Sequence, residues 1–318
     1  MRAQPVLFPP QNRAASGNQN QWVGFEVVDL KGSIVALVTP MAPDGAVDWP
    51  ALDKLIGWHI DQGTHGIVPM GTTGESATLD TQEHLAVIQR TIDVVAGQIP
   101  VVAGTGSNST AEAIHQTQEA QAAGADACLL VTPYYNKPTQ QGLIAHYQAI
   151  AAATEVPLVL YNVPPRTACD MQAATVAELA QLPAVIGIKE ACGDANRVGE
   201  IRAQVDETFI VLSGEDAQTL QMLDLGAVGT ITVTANVLPG MMAKFLNAFL
   251  AGDRDTAAAL DAKLQPIHEI LFVEPSPTPS KWALFDMGMI DSGIRLPLLP
   301  LTEQHHAEVR ARLAAVQE

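Results

Sequence analysis

The chain has 318 residues, with 17 Lys and Arg against 34 Asp and Glu, for a formal net charge of −17. Hydrophobic residues make up 47%, too many for a disordered chain, and the acidic balance argues against nucleic acid, whose phosphates need clustered cations. The length gives room for one large domain or two ordinary ones around a buried core.

The first stretch differs from the rest. MRAQPVLFPPQNRAASGNQNQWVGF is rich in Gln and Asn, carries no acid and lacks periodicity, so residues 1–31 are expected to form a flexible extension. It has no apolar core of secretory type.

From Ser33 a rhythm sets in. Short apolar, β-branched runs occur at Ile34–Val38, Gly66–Met70, Pro100–Ala103, Ala127–Val131, Pro157–Tyr161, Ala184–Lys189, Phe209–Leu212 and Gly229–Thr232. Between them lie stretches with helical spacing, among them Trp49–Gln62, Thr81–Ala96, Ser109–Ala123 and Thr139–Ala153. Strand-like runs alternating with helix-length segments predict parallel βαβ units, and eight of them predict a (β/α)₈ TIM barrel. A doubly wound open sheet is the alternative, but it wants a phosphate-binding Gly turn after its first strand, where this chain has T-P-M-A-P-D-G. Capping-box patterns begin at Asp80 and at Ser109. After the eighth run Pro239–Leu250, Asp255–Ile270, Pro279–Met287 and Thr302–Val316 read as helices. The expected organisation is a barrel over residues 32–252 and a C-terminal α-helical domain over 253–318.

Several classes of function find no support. The uncharged stretch Leu225–Ala243 is broken by glycines, Pro239 and polar residues, a poor bilayer span. Cys128, Cys169 and Cys192 never form C-x-x-C, so they read as small buried hydrophobes in a reducing, cytoplasmic setting. The histidines offer no ligand spacing, His305-His306 reads as solvated, and no metal or cofactor is expected. Gly104-x-Gly106 lacks the third glycine of a dinucleotide fingerprint.

In a TIM barrel the chemistry sits where the strands end. Lys189 closes the apolar run AVIGIK, and strand alternation puts Val185, Gly187 and Lys189 on one face and Ile186 and Ile188 on the other. If the isoleucines pack on outer helices, Lys189 enters the barrel mouth as a desolvated amine, a nucleophile toward carbonyls; the other reading is a lysine snorkelling to the rim. Tyr161 ends the neighbouring strand with the same parity, either as a proton shuttle or as a core tyrosine with a bonded hydroxyl. Thr72 and Thr73, in a turn between glycines, either hold a carboxylate or serve the turn alone. Arg166, after two prolines, suits a carboxylate clamp as well as an outward surface position.

Long strings of the chain resemble the dihydrodipicolinate synthase family of pyruvate-dependent class I aldolases, which includes N-acetylneuraminate lyase. They are GSIVALVTPM, GTTGESATL, VAGTGSN, VTPYYNKP, LYNVPPRTACD, GIKEA, LSGEDA, TVTANV and LFVEPSPTPSKWAL, in order between residues 32 and 284, and the resemblance covers nearly all of the chain from residue 32 onward. The resemblance implies a TIM barrel with a C-terminal helical domain, and condensation of pyruvate with L-aspartate 4-semialdehyde in lysine biosynthesis. It implies Lys189 as the Schiff-base lysine, with Tyr161, Thr72 and Tyr135 as the proton relay and Tyr135 supplied across a dimer interface. It implies pyruvate binding at Thr73 and Ile231, and Arg166 on the carboxylate of the semialdehyde. Ser76, His84, Asn108, Glu112 and Tyr134 match a site for the inhibitor L-lysine; Thr81 departs, standing where sensitive bacterial members often carry His. The family is commonly a tetramer built as a dimer of dimers. The rival readings are a sibling aldolase for sialic or 2-keto-3-deoxy sugar acids, a catalytically silent barrel, and a nicotinamide oxidoreductase; Arg166 and Tyr135 resemble the synthase branch.

Overall fold

The computed structural model describes residues 28–317. Strands and helices alternate as expected: β1 Gly32–Ala36, α1 Trp49–Asp61, β2 Gly66–Val68, α2 Thr81–Val95, β3 Val102–Gly104, α3 Thr110–Ala123, β4 Ala127–Val131, α4 Gln140–Ala153 and β5 Leu158–Asn162. The short helices α5 Pro164–Thr167 and α6 Ala173–Leu179 precede β6 Val185–Glu190, and α7 Asn196–Arg202 precedes β7 Ile210–Ser213. Then come α8 Thr219–Asp224, β8 Gly229–Thr232, α9 Pro239–Leu250, α10 Arg254–Ile270, α11 Thr278–Asp286 and α12 Glu303–Gln317. All eight expected strands are present. The short helices between β5 and β8 have too few turns to show a clear period.

The strands pair in parallel in the order β2-β1-β8-β7-β6-β5-β4-β3, and a parallel bridge from Ile67 to Val101 joins the two ends into a barrel. Inside, Ile34, Val68, Val102, Leu129, Val159, Leu212 and Ile231 form an inner apolar cluster. Outside, a larger cluster lies between the strands and the helices and runs on through Leu264, Ile267, Trp282 and Leu313 of the C-terminal helices. Of the expected N-terminal extension, residues 1–27 lie outside the described residues, while Leu30 is buried in the inner cluster.

Two irregularities aim the site. At β6 the register slips: Leu158 pairs with Val185, but the next residue, Val159, pairs with Gly187. Ile186 is the extra residue of this bulge. Val185 therefore joins the outer cluster and Ile186 packs on the inner one, the reverse of simple alternation, while Ile188 keeps its outward place. At β2 the chain turns early, because Met70 takes a φ of 57°. Gly104 lies beneath it, and a Cβ there would stand 2.2 Å from the Met70 carbonyl oxygen. The turn carries residues 71–76 over the barrel mouth.

The Asp80 capping box forms in full: Asp80 accepts from the Glu83 amide at 2.9 Å and Glu83 from the Asp80 amide at 3.2 Å. The one at Ser109 is half made. Ser109 accepts from the Glu112 amide at 3.4 Å, but the Glu112 carboxylate accepts from the Ser107 hydroxyl at 2.7 Å instead. Cys128 and Cys169 are buried, whereas Cys192 is only half-buried; burial and the Glu190 carboxylate push its thiol up to about 12, so it stays protonated. His306 is not merely solvated, since α12 packs on α11 and stacks this ring on Trp282 at 4.2 Å.

Candidate active site

Lys189 and Tyr161 face each other across paired strands, and the Lys189 Nζ lies 4.3 Å from the centre of the Tyr161 ring. Both side chains are buried, at 5% and 7% exposure. They line a cavity of about 70 Å³ together with Thr72, Thr73 and Arg166, so five of the expected residues meet in one place. Burial pulls the Lys189 ammonium down to about 8, against the Asp216 and Glu215 carboxylates, which favour its charged form. About a tenth of the amine is therefore neutral at pH 7, far more than for an ordinary lysine, and the neutral form is the nucleophile toward a carbonyl. Burial pushes the Tyr161 phenol up to about 12, opposed by Arg166 and by a hydrogen bond with Thr72. The phenol thus holds its proton at neutral pH, beside a hydroxyl that can pass one on.

Thr72–Gly74 form one 3₁₀ turn, and Glu75 ends it in the left-handed region at φ 60°. That strained residue is held from outside the barrel. The Glu75 carboxylate receives the Lys281 ammonium of α11 and the Arg295 amide, the latter at 3.1 Å. Arg166 reaches the cavity from α5, which Pro164 and Pro165 begin. The proline pair fixes the first turn of that helix.

The sequence reading missed part of the wall. Gly214, Glu215 and Val233 line the cavity from the ends of β7 and β8, and Phe272 and Ser276 close it from beyond α10. Gly214 leaves the space that the Lys189 side chain fills: a Cβ there would come within 2.8 Å of Lys189 Cε. The last two lie more than 80 residues after Lys189 in a segment with no periodic signal. Two expected residues stand apart from this cavity. Ile231 is buried in the inner cluster on β8, two residues before Val233. Tyr135 is 89% exposed, on the loop after β4 at a φ of 72°.

A larger cavity of about 390 Å³ adjoins the first, sharing Thr72, Val163 and Arg166 as a common wall. Ser76, His84, Glu112 and Tyr134 line it, and so does Thr81. The fifth expected residue, Asn108, does not line it but donates to the carbonyl of the lining residue Tyr134 at 3.1 Å. His84 bonds the Gly104 carbonyl at 2.7 Å, and burial holds its imidazole below the usual range, so the ring is neutral.

Known proteins resemble this chain over nearly all of its described length. The description of the dihydrodipicolinate synthetase family matches residues 29–316. The 4-hydroxy-tetrahydrodipicolinate synthase of Alcanivorax borkumensis is 54% identical over 281 residues, 88% of this chain and 96% of that protein. That of Methylococcus capsulatus is 55% identical, over 88% of this chain and 97% of its own length. The chloride-inhibited dihydrodipicolinate synthase of Acinetobacter baumannii, solved with pyruvate, superposes with a TM-score of 0.89 at 50% identity, covering 91% of this chain and 99% of that one. A dihydrodipicolinate synthase from Cyanidioschyzon merolae, solved with lysine bound, gives a TM-score of 0.88 at 37% identity over 90% of this chain and 98% of its own. A match that runs from β1 through α12 is the whole described fold, and the chain belongs to the dihydrodipicolinate synthetase family.

Proposed function

We propose that this protein is a class I lyase that condenses pyruvate with L-aspartate 4-semialdehyde, through a Schiff base on Lys189, to give 4-hydroxy-tetrahydrodipicolinate, the first committed step of lysine (diaminopimelate) biosynthesis. The observation that carries the reading is a buried amine without a direct ion-pair partner among the described residues, held near pKa 8, facing a protonated phenol in a small cavity at the barrel mouth.

The residue roles in the steps are those the family resemblance implies, and the facing of Lys189 and Tyr161 supports them. The neutral Lys189 Nζ attacks the pyruvate ketone to give a carbinolamine, Tyr161 donates a proton to its hydroxyl, which leaves as water, and a protonated imine remains. Thr73 holds the pyruvate in the cavity, and the resemblance implies Ile231 of β8 as the second pyruvate position. Loss of a methyl proton gives an enamine, whose carbon attacks the aldehyde of the second substrate while Arg166 grips its carboxylate. The amine of that substrate then attacks the imine carbon, and the ring closes as Lys189 departs with its proton restored. Tyr161 and Thr72 exchange protons at each transfer. Tyr135 completes the relay from a partner protomer, a role supported by its exposed, fixed place on a loop that Asn136 ties to the Asn108 carbonyl at 2.8 Å. The corresponding assembly is a tetramer built as a dimer of dimers.

L-Lysine is the effector we assign to the larger cavity, where Glu112 offers a carboxylate to an ammonium group. The cytoplasm is the compartment we assign; among the described residues no helix is long and apolar enough to cross a membrane, and the three cysteines are unpaired.

Borohydride reduction with pyruvate tests the central step. A mass increase is expected on Lys189 and is expected to vanish in Lys189→Ala; an adduct that persists in the variant overturns the assignment. Trapping should rise with pH through about 8, as the ammonium gives up its proton.

A further inference from the structure

We propose that Asn162 and Glu190 form a clasp behind the reacting pair and act as positioning residues for Lys189 and Tyr161, an inference that rests on the Schiff-base reading. Each is the next residue along its strand, and the register that sets Tyr161 opposite Lys189 sets Asn162 opposite Glu190. Tyr161 and Lys189 point into the barrel mouth, so by alternation Asn162 and Glu190 point outward. Both are fully buried, at 0% exposure.

Their side chains join the two strand tips. The Asn162 amide donates to Glu190 Oε1 at 3.1 Å and Oε2 at 3.2 Å, and to Asp170 Oδ1 at 2.9 Å. Its carbonyl accepts from the Met171 amide at 2.9 Å. Glu190 Oε1 also accepts from the Cys192 amide at 2.8 Å, which fixes the chain as it leaves β6. Arg197 of α7 then holds Asp170 through two bonds of 3.1 Å and the Met171 carbonyl at 3.0 Å. A buried carboxylate at the end of a strand carries a desolvation cost, and a merely structural position would be filled as well by an apolar residue. Here the carboxylate accepts from donors of two different segments while the reacting pair sits on the opposite face of the same two strands. A displacement of about 1 Å at a reacting group is enough to cost on the order of 100-fold in rate.

The clasp is made by the ionised form, since all three of its bonds to Glu190 come from N–H donors. Burial raises the Glu190 carboxyl to about 7, with Asn162 and Cys192 opposing by hydrogen bonds and Arg197 by its charge. Asp170, Arg197, Cys192 and Tyr161 are the titratable or charged groups packed around it. As pH falls through about 7, Glu190 takes a proton and one acceptor is lost, in addition to protonation of Lys189.

The test compares Glu190→Gln, Glu190→Asp, Asn162→Ala and the double variant Asn162→Ala/Glu190→Gln in the full-length protein. Melting temperature, kcat, pyruvate KM, the pH profile and borohydride trapping are read together. The expected result for Glu190→Gln is a kcat at least tenfold lower, a pyruvate KM within twofold, and an acid limb that steps down by one proton instead of two. Glu190→Asp, which keeps the charge and shortens the reach, is expected to stay slow. The double variant should lose no more than the worse single one, because the pair acts as one unit. Unchanged kcat in folded variants, full activity in Glu190→Asp, or losses that multiply overturn the clasp. If Glu190→Gln does not fold, Asn162→Ser reads the same quantities with Glu190 left on Cys192. The Lys189 adduct separates the two ideas: its absence in the parent protein defeats the Schiff-base reading, whereas an adduct with no Glu190 effect defeats only the clasp.

Discussion

Gly214 shows how little space separates a working amine from a displaced one. A methyl group there would sit 2.7 Å from Ala191 Cβ, 2.8 Å from Lys189 Cε and 3.0 Å from the Glu190 carbonyl oxygen. Backbone and a buried side chain cannot all retreat, so the lysine stem moves. Gly214→Ala is expected to lower kcat on the order of 100-fold while the fold survives, as checked by steady-state rates beside a thermal melt. That Lys189 and Tyr161 share the barrel mouth was half legible: strand parity put both on one face, but they read as well as a rim lysine and a core tyrosine until the family resemblance gave each a role. Glu190 and Gly214 were not legible. A glutamate next to a lysine reads as an ordinary rim charge, and a glycine that leaves space for another side chain looks like one that makes a turn.

Among the elements, the turn that carries Thr72 and Thr73 depends on a distant helix. Glu75 and Lys281 are 3% and 4% exposed and form a buried ion pair between that turn and α11. Arg295 strengthens the same junction, bonding Glu83 at 2.6 and 2.7 Å, the Thr78 carbonyl at 2.9 Å and the Gly45 carbonyl at 2.9 Å. Removing one partner leaves a charge without compensation in a dry place. Lys281→Met is expected to cost about 3–5 kcal/mol in urea unfolding, and Glu75→Gln/Lys281→Met to recover much of it. The strands themselves were plain from β-branched runs of even spacing. The bulge at Ile186 was not, because alternation counts residues and a bulge adds one without changing their type. Likewise the pattern at Ser109 promised a reciprocal cap, but Glu112 had a nearer donor in Ser107.

At the level of the whole molecule, acid should loosen the fold before it reaches the carboxylates. His59 is fully buried, bonded at Nδ1 to the Thr64 hydroxyl at 3.1 Å, and burial lowers its pKa from 6.5 to about 3. The unfolded chain binds that proton more readily, so the neutral ring stabilises the fold above 6.5, and this is lost as pH falls toward 3. The slope is about 1.4 kcal/mol per pH unit for one such histidine. His84, His146 and His268 are shifted the same way by burial and add to it. Urea unfolding at pH 6.5 and pH 5 should differ accordingly, and His59→Asn should remove about 2 kcal/mol of that difference. The net charge of −17 gave no hint of a site for anions, because Lys189 and Arg166 act inside a mouth that the average surface does not describe. The placing of Phe272 and Ser276 in the cavity wall has a consequence for how the protein is born. A chain made from its N-terminus can close its barrel, with the lysine and tyrosine in place, before its last segment has left the ribosome. Until that segment docks, the cavity around the amine lacks the two wall residues Phe272 and Ser276 and is expected to be open to water on that side.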